Sequence, residues 1–341
     1  TVALPIISAF GVECAILPTA VLSTHTMFKE FTFRDLSGEF APIAAHWKRE
    51  KFRFDAIYTG YLGSFELLRL VGGFIDDCRT ADNLVFIDPV MADNGKFYPG
   101  FGPEYARAMA ELCSKADVVV PNLTEAAFLL NRPCRTDGYD EAYIRDLLKR
   151  LVGLGAKSAV LTGVRFSENE IGVMGYDGGK EEFFHYFHRR IDVSFHGTGD
   201  IFSSTAVGAL MRGFSLEKAL ALAADYTVEC IDRTLRSPDH VFYGVEFESI
   251  AVFASGYDEG FYQGMQTKLK LEDSQFDTDS MKVYHMGKEL LTGKKYKSTL
   301  YPALKAMGYR IEVVDIKGLD VDNVPKTVKD QLTDGKVFVL M

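Results

Sequence analysis

The sequence predicts a layered α/β fold with a mostly parallel central sheet flanked by helices. Short apolar segments rich in β-branched and aromatic residues alternate with longer segments whose apolar residues recur at helical spacing. Polar residues directly follow several of the apolar segments, and in sheets of this kind ligands bind beyond the carboxyl ends of the strands. A Gly-rich turn before an apolar helix, residues 196–200 (HGTGD), marks a candidate anion site.

The helices of the first 248 residues are predicted from apolar spacing and from end signals. Gly11 follows the first helix as a C′ residue commonly does, and Ser215 is the expected N-cap of the last. The predicted helices cover residues 2–10, 40–50, 65–78, 103–115, 124–130, 139–154, 200–212 and 216–235.

Continuous apolar runs between these helices predict strands that are buried on both faces. The first run, residues 12–21, is nearly all apolar. Residues 171–176 and 182–187 are predicted to pair as a hairpin across residues 177–179 (DGG). The remaining predicted strands are residues 56–60, 84–87, 118–120 and 159–163.

Composition limits the classes of function. The 341 residues suggest more than one domain, because single cores stop growing at roughly 250–300 residues. A net charge of −9 argues against nucleic acid or an anionic membrane surface as the main partner. No apolar run approaches the roughly 18 residues of a membrane span. The five cysteines are widely spaced and odd in number. They therefore predict reduced thiols in a cytoplasmic protein, with no cysteine metal cluster.

The turn at residues 196–200 has the composition of an anion cradle. Gly197 and Gly199 let the backbone turn tightly and point successive N–H groups at one place, where the following helix adds the positive end of its dipole. Asp200 then places a carboxylate beside an anion, where it could accept a proton from a hydroxyl group that attacks a phosphoryl group. Taken alone, the motif also fits an ordinary Gly-rich turn with an Asp near a helix start.

Four further polar signals follow predicted strands. They are residues 59–61 (TGY), Asp88, residues 122–125 (NLTE) and residues 162–163 (TG). Each has a simpler interpretation by itself, since Asp88 precedes a proline as turn residues do and Glu125 sits in the first turn of a predicted helix. Their recurrence at one edge of the sheet favours a binding site there.

Five segments of the sequence resemble segments of a known protein family. They are residues 17–26 (LPTAVLSTHT), 59–61 (TGY), 88–96 (DPVMADNGK), 121–126 (PNLTEA) and 197–200 (GTGD). Their order and spacing agree as well as their content. Residues 1–248 resemble the pyridoxal kinases of the ribokinase-like superfamily, and the bacterial branch in particular.

The resemblance implies a role for each matched residue. Asp200 is expected to be the catalytic base, and the backbone of Gly197, Thr198 and Gly199 the anion hole for the transferred phosphoryl group. Asn122 and Glu125 fall in the N-x-x-E motif that organises Mg²⁺ and its waters. Asp88 lies near the same cluster, so Asp88 and Glu125 are the expected metal residues, partly through water. By the same resemblance, the residues assigned to ATP binding are Asp88, Asn122, Glu125, Thr162 and Gly163. The residues assigned to the pyridine ring of the substrate, a form of vitamin B6 (a vitamer), are His25, Thr26 and Tyr61.

The implied function is ATP-dependent phosphorylation of the 5′-hydroxymethyl group of pyridoxal, pyridoxine or pyridoxamine. ATP and Mg²⁺ are the implied cofactors, and a cytoplasmic homodimer is the expected form. A hydroxymethylpyrimidine or sugar kinase of the same superfamily is the first alternative. A non-catalytic nucleotide-binding or scaffold protein is the second. No Walker A lysine motif is present, and this family does not use one.

Three departures from the family pattern bear on the pocket. The family has a strand and a Ser/Gly-rich loop before the segment that begins at Thr1, so a central strand and part of the vitamer pocket are expected upstream. Met27 stands where a Gly usually follows Thr26, and Ala92 stands where a Gly is usual. Both changes are expected to alter the pocket wall or the loop over the site.

Residues 249–341 lie outside the resemblance and predict a small α/β segment. Strands are expected at 250–253, 311–314 and 337–341, helices at 300–307 and 327–332, and a polar loop at 266–280. The segment faintly resembles the PIN-like NYN nuclease domain through residues 256–258 (GYD) and 317–322 (KGLDVD). A structural appendage is the favoured interpretation, and a nuclease the alternative.

Overall fold

The computed structural model describes residues 2–24, 28–193, 195–238, 240 and 243–247, together with four two-residue strands in the C-terminal part. The chain divides into two compact units, Thr1–Ser255 and Gly256–Met341. The boundary predicted between residues 248 and 249 stays a prediction.

The first unit alternates helices and strands along most of its length. In chain order its elements are α1 (Ala3–Ala9), β1 (Ala20–Leu22), β2 (Phe33–Asp35), α2 (Ser37–Arg49), β3 (Ala56–Thr59), α3 (Phe65–Cys78), β4 (Leu84–Ile87), β5 (Ala92–Asp93), β6 (Lys96–Phe97), α4 (Pro103–Cys113), β7 (Val118–Val119), α5 (Leu123–Leu129), α6 (Glu141–Gly153), β8 (Ser158–Val164), β9 (Glu170–Asp177), β10 (Glu182–Arg189), α7 (Thr198–Met211) and α8 (Leu216–Arg236).

The central sheet has six strands in the order β10-β9-β8-β7-β4-β3. Strands β3, β4, β7 and β8 are mutually parallel. Strands β9 and β10 form the predicted hairpin and continue the sheet in the antiparallel sense. The carboxyl ends of the four parallel strands therefore meet at one edge of the sheet.

Helices cover both faces of the sheet. Neighbouring residues of one strand pack to opposite sides, since Ile87 belongs to the core cluster that contains Leu67 and Leu148, while Phe86 belongs to the cluster that contains Phe202 and Leu220. This alternation is the period of a strand buried on both faces. The prediction of a layered fold with a mostly parallel sheet is confirmed.

The strand predicted at residues 12–21 is wrong in extent and in place. Only Ala20–Leu22 is a strand, and it pairs antiparallel with Phe33–Asp35 in a separate two-stranded ribbon. Ile16 is 50% exposed. Pro18 has no N–H to donate to a central ladder, which disfavours a central strand despite the apolar composition.

Helix α1 packs against α7 through a close contact. A Cβ atom at Gly208 would approach the Phe10 ring to 2.4 Å, so the absence of a side chain at Gly208 lets Phe10 pack there. Gly11 follows with a φ of +72°, as predicted for the residue after the helix. No helix in the described part of the chain is long and apolar enough to cross a bilayer.

In the second unit the structure describes only paired strand fragments. Strands β11 (Tyr284–His285) and β12 (Lys288–Glu289) are antiparallel, and β13 (Val313–Val314) and β14 (Val339–Leu340) are parallel. The last two fall within predicted strands. The elements predicted at 250–253, 300–307 and 327–332 lie outside the described residues. The NYN interpretation stays a prediction.

Candidate active site

Helix α7 begins at the Gly-rich turn without a side-chain cap. Its N-cap, Gly197, has a φ of +86°, in the left-handed region that favours glycine. The first bond within the helix runs from the Ile201 N–H to the Gly197 carbonyl, at 3.0 Å. The N–H groups of the turn before it have no partner within the helix. A Cβ atom at Gly197 or Gly199 would meet nothing within 4 Å, so the turn faces open space. This geometry suits an anion.

Asp200 lies in the first turn of α7. Burial raises the pKa of its carboxyl group above the ordinary value. A raised pKa makes the carboxylate a stronger base and brings it closer to the operating pH of an enzyme. Thr198, two residues earlier, donates its hydroxyl hydrogen to the Phe195 carbonyl at 3.3 Å.

Asp88 directly follows strand β4 and is 7% exposed. Its N–H bonds to the Thr59 carbonyl at 3.0 Å, which continues the pairing of β3 and β4. The Ser203 hydroxyl donates to Oδ2 of Asp88 at 2.7 Å. Burial raises the pKa of Asp88 well above its ordinary value, the Glu125 carboxylate raises it further, and Asp200 adds to this. The carboxylates of Glu125 and Asp200 therefore lie within electrostatic reach of Asp88.

Asn122 and Glu125 form a reciprocal capping box at the start of α5. The Asn122 Oδ1 atom accepts the Glu125 N–H at 2.9 Å, and Oε2 of Glu125 accepts the Asn122 N–H at 3.0 Å. Oε1 of Glu125 also accepts the N–H of Met91 at 3.0 Å and that of Ala92 at 3.4 Å. Glu125 is only 3% exposed, and burial raises its pKa to about 7. Glu125 is therefore not a solvent-exposed residue at the start of a helix.

Thr162 and Gly163 lie near the carboxyl end of strand β8, beside Asn122. Thr162 pairs with Asn122 through an isolated parallel bridge, in which the Thr162 N–H donates to the Pro121 carbonyl at 3.1 Å. Gly163 lies in a β-bulge with a φ of +71°, and a Cβ atom there would meet nothing within 4 Å. The fold thus brings the ends of β7 and β8 together, as the parallel sheet predicts.

Of the three residues assigned to the vitamer ring, the structure describes Tyr61. Tyr61 lies in an aromatic group, with its ring centroid 5.7 Å from that of Phe101, which stacks on Tyr105 at 4.0 Å. His25 and Thr26 lie outside the described residues.

Three residues near the carboxylates were missed by the sequence analysis. Ser203 bonds Asp88 directly. Tyr58 is held at a raised pKa by burial and by Asp88 and Asp200. Burial also raises the pKa of Tyr98, and four carboxylates, including that of Asp93, raise it further. Ser203 is three residues after Asp200, so helical spacing could have identified it. No sequence signal marks Tyr98, because its neighbours come from separate elements.

The carboxylates fit a hard divalent cation by their chemistry. Besides burial, the described groups that raise the pKa of Asp88 are the carboxylates of Glu125 and Asp200, and the group that lowers it is the neutral Ser203 hydroxyl. Among the described residues, however, no group of three His, Cys, Asp or Glu side chains is close enough to hold an ion directly. Both Glu125 oxygens already accept backbone N–H groups, so contact through water is the arrangement that this residue suits.

Comparison with known proteins defines the class to which this fold and site belong. The profile of the phosphomethylpyrimidine kinase family matches residues 4–242. The chain belongs to this family.

Particular relatives place the chain near kinases of vitamin B6. It is 35% identical to a crystal structure from Bacteroides thetaiotaomicron VPI-5482, provisionally assigned as a phosphomethylpyrimidine kinase and containing pyridoxal, with a TM-score of 0.72 and coverage of 76% of this chain and 91% of the other. It is 31% identical to pyridoxal kinase from Lactobacillus plantarum, with a TM-score of 0.67 and coverage of 74% and 89%. A pyridoxine/pyridoxal/pyridoxamine kinase from Bordetella avium is 28% identical over 67% of this chain and 78% of its own length. The predicted resemblance to pyridoxal kinases is confirmed.

Proposed function

We propose that this protein transfers the γ-phosphoryl group of ATP to the 5′-hydroxymethyl group of pyridoxal, pyridoxine or pyridoxamine. One observation carries the proposal. The carboxylate of Asp200 stands at the open N-terminus of α7, within electrostatic reach of the buried Asp88 carboxylate. A proton acceptor and an anion cradle on the same helical turn suit transfer of a phosphoryl group to a hydroxyl group.

In this mechanism the oxygen of the substrate hydroxyl group attacks the γ-phosphorus atom, while Asp200 accepts the proton of that hydroxyl group. The bond from the γ-phosphorus to the bridging oxygen breaks, and ADP leaves. The backbone N–H groups from Gly197 to Asp200 stabilise the charge on the oxygens of the transferring group, which requires positioning and charge neutralisation more than covalent chemistry. Asn122, Thr162 and Gly163 are proposed to contact the phosphates of ATP.

Asp88 and Glu125 are the residues proposed to hold Mg²⁺, the second through water. The ion would neutralise charge on the phosphate groups. Asp88 is oriented for this role by Ser203, and Glu125 by three backbone N–H groups. His25, Thr26 and Tyr61 are proposed to contact the vitamer ring.

The substrate is tested by assaying phosphorylation with Mg²⁺-ATP. The panel is pyridoxal, pyridoxine, pyridoxamine, hydroxymethylpyrimidine, its monophosphate and ribose, with product identified by mass spectrometry. We expect the highest kcat/KM with a B6 vitamer. Turnover of hydroxymethylpyrimidine alone would support the second candidate, which the family description and the provisional assignment of the Bacteroides structure favour. Absence of any turnover with bound ATP would support a non-catalytic protein.

The kinase domain is proposed to comprise residues 1–248, with residues 249–341 as an appendage. A chain ending at residue 248 should then unfold cooperatively and keep its activity on vitamers. Loss of the cooperative transition in that chain would show that the C-terminal part is needed for folding. A homodimer is also proposed from the family resemblance, and light scattering of the full chain measures its mass.

A further inference from the structure

A small hairpin beside the carboxylates is too short to be stable by itself. Strands β5 and β6 have two residues each and are joined by Asn94 and Gly95. Both turn residues have positive φ, +50° and +75°, as the Asn-Gly pair of a two-residue hairpin turn requires. Isolated two-stranded hairpins are marginal in water. Contacts from outside the hairpin must therefore hold it in place.

Helix α5 supplies those contacts along the whole hairpin. At the hairpin base, Glu125 accepts the N–H groups of Met91 and Ala92, and Nδ2 of Asn122 donates to the Ala92 carbonyl at 2.8 Å. On the return strand, the ring of Phe97 stacks on that of Phe128, with centroids 4.1 Å apart.

A side chain of α5 bonds the tip of the hairpin, beside the bonds that the Asp93 carboxylate accepts from Asn94. The Thr124 hydroxyl oxygen accepts the Gly95 N–H at 3.0 Å. Thr124 is 2% exposed, whereas the hairpin tip is exposed, so the bond joins the tip to a rigid buried position. The Cys134 thiol donates to the same oxygen at 3.6 Å.

Two residues near the carboxylates belong to the hairpin or directly follow it. Asp93 lies immediately before the turn, and its charge is felt by Glu125 and by Tyr98. Tyr98 follows the second strand, and its N–H donates to the Met91 carbonyl at 2.9 Å. Movement of the hairpin tip would therefore move both residues relative to Asp88, Glu125 and Asp200.

We propose that Thr124 is a positioning residue of the kinase site. Its hydroxyl group fixes the hairpin tip through Gly95, and this sets the positions of Asp93 and Tyr98 beside the carboxylates. The inference rests on the proposed function for its kinetic consequence, but its structural part can be tested without any activity.

The test compares Thr124→Val, which keeps the shape and loses the acceptor, with Thr124→Ser, which keeps the acceptor oxygen. Cys134→Ala is the matched control, because it removes the other partner of the same hydroxyl group. The first measurement is amide hydrogen exchange at Gly95 in the full chain. We expect exchange to become about 2- to 10-fold faster in Thr124→Val, as the loss of one hydrogen bond predicts. Thr124→Ser and Cys134→Ala should stay close to the parent protein.

The second measurement is steady-state kinetics with pyridoxal and Mg²⁺-ATP. We expect Thr124→Val to raise the KM for ATP by about 2- to 10-fold, by the same hydrogen-bond estimate. In Thr124→Val the KM for pyridoxal should stay nearly constant, and in Thr124→Ser both KM values should stay close to those of the parent protein. Unchanged Gly95 exchange in Thr124→Val overturns the hairpin contact. Faster exchange with an unchanged KM for ATP overturns the positioning role. Absence of turnover in the parent protein rejects the proposed function, and Gly95 exchange still decides the contact.

Discussion

Two aspartates are buried to almost the same extent but have opposite electrostatic surroundings. One lies at the amino ends of the parallel strands and the other at their carboxyl ends. Asp117 immediately precedes β7 and is 8% exposed, while Asp88 immediately follows the neighbouring strand β4 and is 7% exposed. Burial raises the pKa of a carboxyl group in either place. At Asp117 hydrogen bonds from Lys157 and Arg79 outweigh burial and hold the pKa below the ordinary value. At Asp88 no cation from the described part of the chain opposes burial, and the pKa is raised.

The difference separates a structural carboxylate from a candidate functional one. Asp117 makes a two-bond pair with Arg79, at 2.6 and 2.8 Å, a contact of 2.7 Å with Lys157, and a bond from the Val85 N–H at 2.6 Å. The chain itself thus satisfies this charge. Among the described residues, Asp88 accepts a hydrogen bond from the neutral Ser203 hydroxyl and lies within electrostatic reach of the Glu125 and Asp200 carboxylates. A site of this kind is unfavourable without a bound cation, which is typical of functional sites.

The largest expected effect is on catalysis at the carboxyl edge. Asp200→Asn keeps the shape of the side chain but cannot accept the substrate proton. We expect kcat for vitamer phosphorylation to fall by about 10²- to 10⁴-fold, with ATP binding retained. Calorimetric titration of ATP and turnover measured on the same preparation check both parts. Asp117→Asn is the control and should keep most of kcat. Activity of Asp200→Asn within a few-fold of the parent would remove Asp200 from the role of base.

The next largest expected effect is on the free energy of unfolding, and it comes from Asp117 at the amino end of β7. Asp117→Asn removes a charge that two cations and a backbone N–H contact, and we expect the free energy of unfolding to fall by about 1.5–3 kcal/mol. Because the pKa of Asp117 is lowered in the fold, its contribution is present above the unfolded pKa and is lost as pH falls through the folded one. Urea titrations should therefore show the two proteins converging in acid. An equal difference at all pH values would contradict this assignment.

Asp88→Asn should have the opposite sign on stability. The substitution removes a buried charge that no cation among the described residues compensates, and it keeps an acceptor for Ser203. We expect the free energy of unfolding without metal to rise by about 1 kcal/mol, while turnover falls, as happens where a site is retained for function. Thermal melting and turnover of the same sample measure this. A loss of stability like that of Asp117→Asn would place Asp88 in a structural role.

The smallest expected effect is on the pH dependence of the free energy of unfolding, and it comes from Glu125. Its folded pKa, about 7, is above the ordinary value of 4.5, so the fold favours the protonated form. In metal-free buffer the stability contribution is present below the unfolded pKa and is lost as pH rises through about 7. Glu125→Gln should flatten this part of the stability profile. It should also weaken the dependence of turnover on Mg²⁺ more than the affinity for vitamer, because it removes one negative charge from the proposed metal surroundings. Identical Mg²⁺ titrations would count against the metal assignment.

The elements and the locations of the motifs were predictable because their signals are local. Helix α3 was predicted with its observed bounds, Phe65–Cys78, because apolar spacing acts within a few residues, and in the structure the Ser64 side chain caps the helix. The capping box of Asn122 and Glu125 is also local, since its partners are three residues apart, but only the structure identified it. The apolar run at residues 12–21 misled because apolar content does not tell whether a segment has a neighbouring strand on each side.

By itself, the sequence determined the alternation of strands and helices, the edge at which polar motifs gather and the resemblance to pyridoxal kinases. The tertiary structure decided which carboxylates are buried and which groups surround them. Ser203 and Asp88 are separated by 115 residues, and Thr124 and Gly95 by 29. Backbone conformation responds mainly to near neighbours in the chain, whereas desolvation and electrostatic interaction depend on distances that only the folded chain sets.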